Sequence, residues 1–232
     1  MARGKAGSCS IWRVSDASLR ILYLSLTASL LLGCSQSQAP SAAESILRRG
    51  NGGEPGTLDP QRAEDIPALT ILTDMYEGLT TESASGEVTG GAAREWSVSA
   101  DGRAMVFHLR SNLRWSNGDA LTAPHFAAGL RRAIDPRTAA PNAQLLSAIQ
   151  RVEAPSADRL ELQLSRPDPA LPAILALPIA APRHPSATDD VARTPVNGAY
   201  RLQDWQPHQS ISLGRNAHYR NAASVVIGRA HV

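Results

Sequence analysis

Six histidines hold most of this 232-residue chain's capacity for metal or acid–base chemistry: His108, His125, His184, His208, His218 and His231. A zinc site needs imidazoles at i, i+4 on a helix or in a tight cluster, and none of the six falls at such a spacing. They read as surface or strand histidines. G-x-S-x-G, H-E-x-x-H, a phosphate-binding loop and a dinucleotide fingerprint are all missing, so a hydrolase has only generic Ser, His and Asp content behind it. The chain reads as a non-enzyme without a cofactor. Two side chains keep a distinctive setting. Glu64 stands just before an apolar periodic run, where a carboxylate is favoured by the positive N–H groups of a helix start. Cys34 closes an apolar stretch.

That stretch runs from Ile21 to Leu32 behind Arg3, Lys5, Arg13 and Arg20, the charged flank and apolar centre of a secretory signal over residues 1–33. It is too short to cross a hydrocarbon core, which takes about 20 apolar residues. Leu31-Leu32-Gly33-Cys34 resembles a bacterial lipobox, whose cysteine is diacylated and becomes the mature N-terminus. Cys34 is then the lipidation site, and the protein sits in the cell envelope, anchored on the periplasmic face of a membrane. An ordinary cleaved signal with an incidental cysteine is the alternative, and Ser35 leaves the choice between inner and outer membrane open. Losing the signal removes four basic residues and Asp16, which brings the mature chain close to neutrality. With no basic run, nucleic acid is not a partner. Cys9 leaves with the signal and Cys34 takes lipid, so no disulfide braces the core.

Beyond Cys34, residues 34–45 are small and polar, a flexible tether to a folded body. Ile46 to Arg49 reads as a strand, and Ile66, Leu69, Leu72, Met75, Tyr76 and Leu79 as a helix over about 66–78. Trp96 and Val98, then Met105, Phe107 and Leu109, alternate either side of Asp101-Gly102 and predict a hairpin with one buried face. Asn117-Gly118 supplies a turn. Thr122 and Pro124 open a second helix whose apolar side carries Phe126, Leu130, Ala133 and Ile134, and which stops at Asp135-Pro136. Trp115 reads as a packing anchor. Leu160, Leu162 and Leu164 alternate with polar residues in an antiparallel strand. Residues 168–177 form a short helix interrupted by Pro172, residues 178–195 a proline-rich loop, and Tyr200, Leu202, Ile211 and Leu213 paired strands flanking 205–209. The order is that of a mixed α/β (α+β) fold.

Several short pieces in this chain share one pattern. Trp115 to Phe126 reads W-S-N-G-D-A-L-T-A-P-H-F and leads into the helix ending at Asp135-Pro136. Upstream stand Thr57-Leu58-Asp59-Pro60 and Tyr76-Glu77-Gly78-Leu79, and downstream Asn197-Gly198-Ala199-Tyr200, Asn216 and Tyr219. In order and spacing these resemble the solute-binding proteins of peptide-importing ABC transporters, the oligopeptide- and dipeptide-binding family (solute-binding protein family 5), over roughly residues 45–232.

The resemblance implies a periplasmic-binding-protein-like first lobe from residues 46–59 and 171–232, with an inserted subdomain over about 60–170. Members of the family are usually more than twice this length, so it also implies that the chain is the N-terminal part and the second lobe is missing. Such proteins hold a peptide by its main chain, as a sheet edge accepts a strand, within roomy hydrated pockets. On that basis the peptide-binding residues are Glu64, Asp65 and Ile66, with Asn142 where a ligand-contacting tyrosine often sits. The acid that captures the peptide's amine belongs to the lobe not encoded, so binding by this chain alone is expected to be weak. Implied partners are oligopeptides, ABC permease subunits and the membrane through the lipid anchor. Two alternatives remain: a lipoprotein interaction module without transport, and a nickel- or haem-type solute binder in which His108 and His125 meet.

Overall fold

The computed structural model describes residues 46–188, 190–227 and, for the backbone, 229–231. The signal, Cys34 and the tether lie outside the described residues. Three sheets are described: a mixed one in the order β1-β10-β9-β8, a small β2-β3 pair, and an antiparallel one in the order β4-β5-β7-β6.

The antiparallel sheet follows from alternation. β4 (Ala93–Val98) and β5 (Ala104–Leu109) form the hairpin about Asp101-Gly102, closed by the Gly102 N–H on the Ser99 carbonyl at 2.9 Å. β6 (Ile149–Ser156) and β7 (Arg159–Leu164) complete it. Met105 and Phe107 stand opposite Leu162 and Leu160, all on the buried face, and Trp96 stacks on Phe107 with ring centroids 6.2 Å apart. Each well-matched cross-strand pair of this kind contributes about 0.2–1 kcal/mol. Helix α2 (Ala123–Ile134) lays Phe126, Leu130 and Ala133 against β6 and β7. It begins after Thr122 with Pro124 in its first turn, and ends at Asp135 because Pro136 disfavours a helical residue before it.

The mixed sheet is built from β8 (Tyr200–Gln206) and β9 (Ser210–Arg215), antiparallel to each other. β10 (Arg229–His231) pairs antiparallel with β9 and parallel with β1 (Ile46–Arg48). Leu202, Ile211 and Leu213 are buried, and α1 (Ile66–Met75) packs on β8. β2 (Thr80–Glu82) and β3 (Val88–Gly90) link α1 to the hairpin. One apolar core, holding Trp115 and Phe107 along with Ile71 and Leu213, runs through both main sheets.

Three elements differ from the sequence expectation. Helix α1 stops at Met75 instead of 78, because the Met75 carbonyl accepts from the Gly198 N–H at 2.8 Å and Tyr76 turns to extended backbone. Pro172 starts the short helix α3 (Leu171–Ile174) instead of interrupting one, as a first-turn proline sacrifices no hydrogen bond. Strand β8 runs on through Trp205 to Gln206, leaving a tighter turn in which His208 adopts a left-handed φ of 62°.

Candidate functional site

The loop that leads into α1 is held rigidly. Asp59 accepts from Arg132 through both oxygens, at 2.7 and 2.5 Å, and this fork ties the loop to α2. Gln61 extends the tie: its Oε1 accepts from the same guanidinium at 2.8 Å while its Nε2 donates to the Ala181 carbonyl at 3.1 Å. Planar bidentate Arg–carboxylate pairs fix geometry as well as energy. The loop therefore presents residues 63–66 from a fixed base.

There the structure gathers most of the residues singled out in the sequence. Ala63, Glu64, Ile66 and Asn142 line a groove of about 410 Å³ whose other wall includes Leu145 and Leu177. Asn142 Nδ2 donates to the Ala63 carbonyl at 3.3 Å, which leaves its carbonyl oxygen for other partners. Ile66 is 78% exposed at the first position of α1. Asp65 differs from its neighbours: Oδ1 accepts from the Ala68 N–H at 2.8 Å and Oδ2 from the Gly56 N–H at 3.1 Å. Its carboxylate caps the helix, a role worth about 1 kcal/mol. The apolar wall of Leu145 and Leu177 was not legible in the sequence, since both sit in short irregular turns where no periodicity marks a face.

A second set of residues converges just past the C-terminus of α1. Asn197 grips the backbone of Glu77 from both sides, donating to its carbonyl at 2.8 Å and accepting from its N–H at 3.3 Å. The Glu77 carboxylate accepts from Arg220 Nε at 2.8 and 2.9 Å and from the Tyr219 hydroxyl at 3.0 Å. Burial and the Glu77 charge push the Tyr219 phenol up to about 12, so it remains a donor. Asn216 Nδ2 donates to the Gly198 carbonyl at 2.9 Å. Both glycines are required by close approach: a Cβ on Gly78 would lie 2.1 Å from the Leu175 carbonyl oxygen, and one on Gly198 2.5 Å from the Met75 backbone. The scattered pieces Tyr76–Leu79, Asn197–Tyr200 and Asn216–Tyr219 thus form one structural junction.

The histidines that meet are not the His108 and His125 of the nickel- or haem-binding alternative. His125 and His184 stack with centroids 6.2 Å apart, each edge-on to the buried Trp115 ring. His125 Nδ1 accepts from the Thr122 N–H at 3.1 Å, closing the start of α2. Burial, reinforced by His184, holds its pKa below the ordinary imidazole value. His184 Nδ1 accepts from the Ser186 N–H at 3.1 Å and its Nε2 faces Asp119 at 3.0 Å. Ser186 Oγ also lies 2.7 Å from that Nδ1, but as part of the same local turn. Among the described residues no group of three or more His, Cys, Asp or Glu is arranged to hold a metal.

A mixed α/β fold of this architecture is that of a periplasmic binding protein. Residues 87–231, more than half of the chain, match the family described as bacterial extracellular solute-binding proteins, family 5 Middle, and the chain belongs to that family. It is 31% identical to the probable deoxycholate-binding periplasmic protein YgiS of Escherichia coli K12, over 94% of this chain and 44% of YgiS. It is 32% identical to the periplasmic oligopeptide-binding protein OppA of the same organism, over 81% of this chain and 39% of OppA. Among solved structures it resembles Haemophilus influenzae OppA in complex with RPPGFSPFR, with a TM-score of 0.77 and 29% identity over 82% of this chain and 42% of that one. The Escherichia coli murein tripeptide-binding protein MppA also gives a TM-score of 0.77, at 28% identity over the same shares. The chain spans about two-fifths of the length of these relatives.

Proposed function

We propose that this chain is an extracytoplasmic peptide-binding component of an ABC importer that holds a peptide by its main chain along Glu64, Asp65 and Ile66, with Asn142 alongside. The observation that carries this reading is the groove itself. Its floor is a helix start, where the Ile66 N–H has no intrahelical acceptor, and its polar side chains include a carboxylate and an amide suited to N–H groups and ammonium ions. The contribution of Asp65 is confined to backbone, because its carboxylate is already committed to the cap. A single open wall leaves a peptide's ends hydrated, so the affinity of this groove alone is low. We assign the β4-β5-β7-β6 sheet with α2 to an inserted subdomain over about 60–170, and residues 46–59 and 171–232 to the first lobe. Cys34 is the lipid anchor in this reading, the periplasmic face of the envelope the location, and permease subunits the protein partners. The relatives are binding proteins by name, and we read this chain the same way and not as an enzyme.

The test is amide-resolved NMR of the full chain titrated with a mixed peptide pool. Shifts should concentrate at 64–66 and 142. Ile66→Ala should leave the titration nearly unchanged, whereas Ile66→Pro, tolerated at a first helical position, deletes the N–H and should weaken it. A response centred on His184 or His208 would place the ligand on another face.

A second reading has one observation behind it. The apolar wall of Leu145 and Leu177, together with the ligand in the name of YgiS, suits an amphipathic sterol acid. Glu64 would repel such an acid's carboxylate, which favours peptide. Titration with deoxycholate in parallel separates the two.

A further inference from the structure

We propose that the pit between residues 57–62 and residues 182–188 binds a small oxyanion, such as phosphate, through Arg62, Arg183 and the Tyr76 hydroxyl. The pit measures about 130 Å³ and shares no lining residue with the peptide groove, using residues 57–62 where the groove uses Ala63, Glu64 and Ile66.

Tyr76 is the first observation. It is 8% exposed, yet its hydroxyl makes no hydrogen bond among the described residues, and it lines the pit. The hydroxyl is not one of the fully buried polar atoms left without a partner, so it opens onto the pit, where an oxyanion can take the place of water. Burial and the nearby Asp59 charge push its pKa well above the ordinary phenol value, so the hydroxyl keeps its proton and can donate it to an anion's oxygen. Charge is the second. Arg183 spends Nη2 on a neutral acceptor, the Ala187 carbonyl at 3.1 Å, and the Arg62 side chain has no hydrogen bond or ion pair among the described residues. The acid among the described lining residues, Asp59, is already forked to Arg132. Arg62 and Arg183 therefore line the pit beside a hydroxyl donor, and among the described lining residues no carboxylate is left unpaired. A chamber of this size excludes a peptide and admits a single phosphate- or carboxylate-sized group, which accepts from all three donors at once.

The probe is inorganic phosphate, titrated into the full chain at constant ionic strength with chloride as the balancing ion. Backbone amides and arginine Nε–H signals are followed by NMR. Saturable shifts at Arg62, Tyr76 and Arg183 are expected. Arg62→Gln, at an exposed side chain without a partner, should weaken binding at least fivefold without moving the urea midpoint, and Tyr76→Phe should weaken it several-fold. Acetate in place of phosphate reports whether a planar carboxylate suffices, and phosphatidylglycerol vesicles test a headgroup as the source. Linear shifts equal to those of chloride, an unchanged titration in Arg62→Gln, or binding to vesicles without binding to free phosphate would each overturn the proposal. Because the response is read at 62, 76 and 183, its failure leaves the peptide groove untouched.

Discussion

Replacing Arg220 by Met tests whether the junction just past α1 holds the fold together. The guanidinium reaches Glu77 through Nε at 2.8 and 2.9 Å and through Nη2 at 2.7 Å, with only 18% and 9% of the two side chains exposed. Methionine keeps much of the buried length but leaves the Glu77 carboxylate with the Tyr219 hydroxyl as its remaining side-chain donor. Removing one partner of a buried pair costs about 3–5 kcal/mol. Partial exposure of Arg220 puts this case near 3, a change of about a hundredfold in the unfolding equilibrium, or a large fraction of the roughly 5–15 kcal/mol that holds a domain folded. Urea unfolding of the Arg220→Met chain should show that loss. The Glu77→Gln, Arg220→Met pair, which removes the stranded charge, should recover most of it. A single variant costing under about 1 kcal/mol, or a double variant as unstable as the single, would falsify the view that charge pairing supports this junction.

His125→Gln addresses acid sensitivity. With its folded-state pKa held below the unfolded value near 6.5, His125 takes up a proton more readily in the unfolded chain. Its contribution to stability is therefore present above about pH 6.5 and lost as pH falls toward the folded value. Glutamine at this third helical position can still accept from the Thr122 N–H. The drop in urea midpoint between about pH 7.5 and 5.5 should shrink in the variant, and equal drops would remove His125 as the cause. Cys34→Ser should move the protein from the membrane to the soluble fraction, and identical fractionation without acyl chains on the mature N-terminus would refute the anchor.

What could be read in the sequence divides by distance along the chain. The β4–β5 hairpin, α2 with its proline start and Asp135-Pro136 stop, and the buried leucines of β7 were legible because each depends on periodicity and turn chemistry within a dozen residues. Glu64, Ile66 and Asn142 came from resemblance, and the structure gathers them around one groove. Asp65 was foreseeable as a cap from its place before Ile66-Pro67, yet family likeness drew it toward the ligand. The junction was legible only as separate words. Nothing local announces that Asn197 grips Glu77 across 120 residues, or that Tyr219 reaches it across 142. The meeting of His125 with His184 escaped notice for the same reason: their encounter is set by the path of the proline-rich segment and not by any spacing.

Those long separations have a kinetic meaning. During synthesis from the N-terminus, α1 and Glu77 emerge early, but the residues that satisfy them arrive only after 197–198 and 216–220. Until then the carboxylate stays in water and the glycine contacts at Gly78 and Gly198 cannot clamp the backbone. Contacts of such high sequence separation form late and slow folding, since the loop must close before it yields any stabilisation. The early part of the fold is thereby kept from locking, and the segment around Tyr219-Arg220 is the clasp that closes the junction.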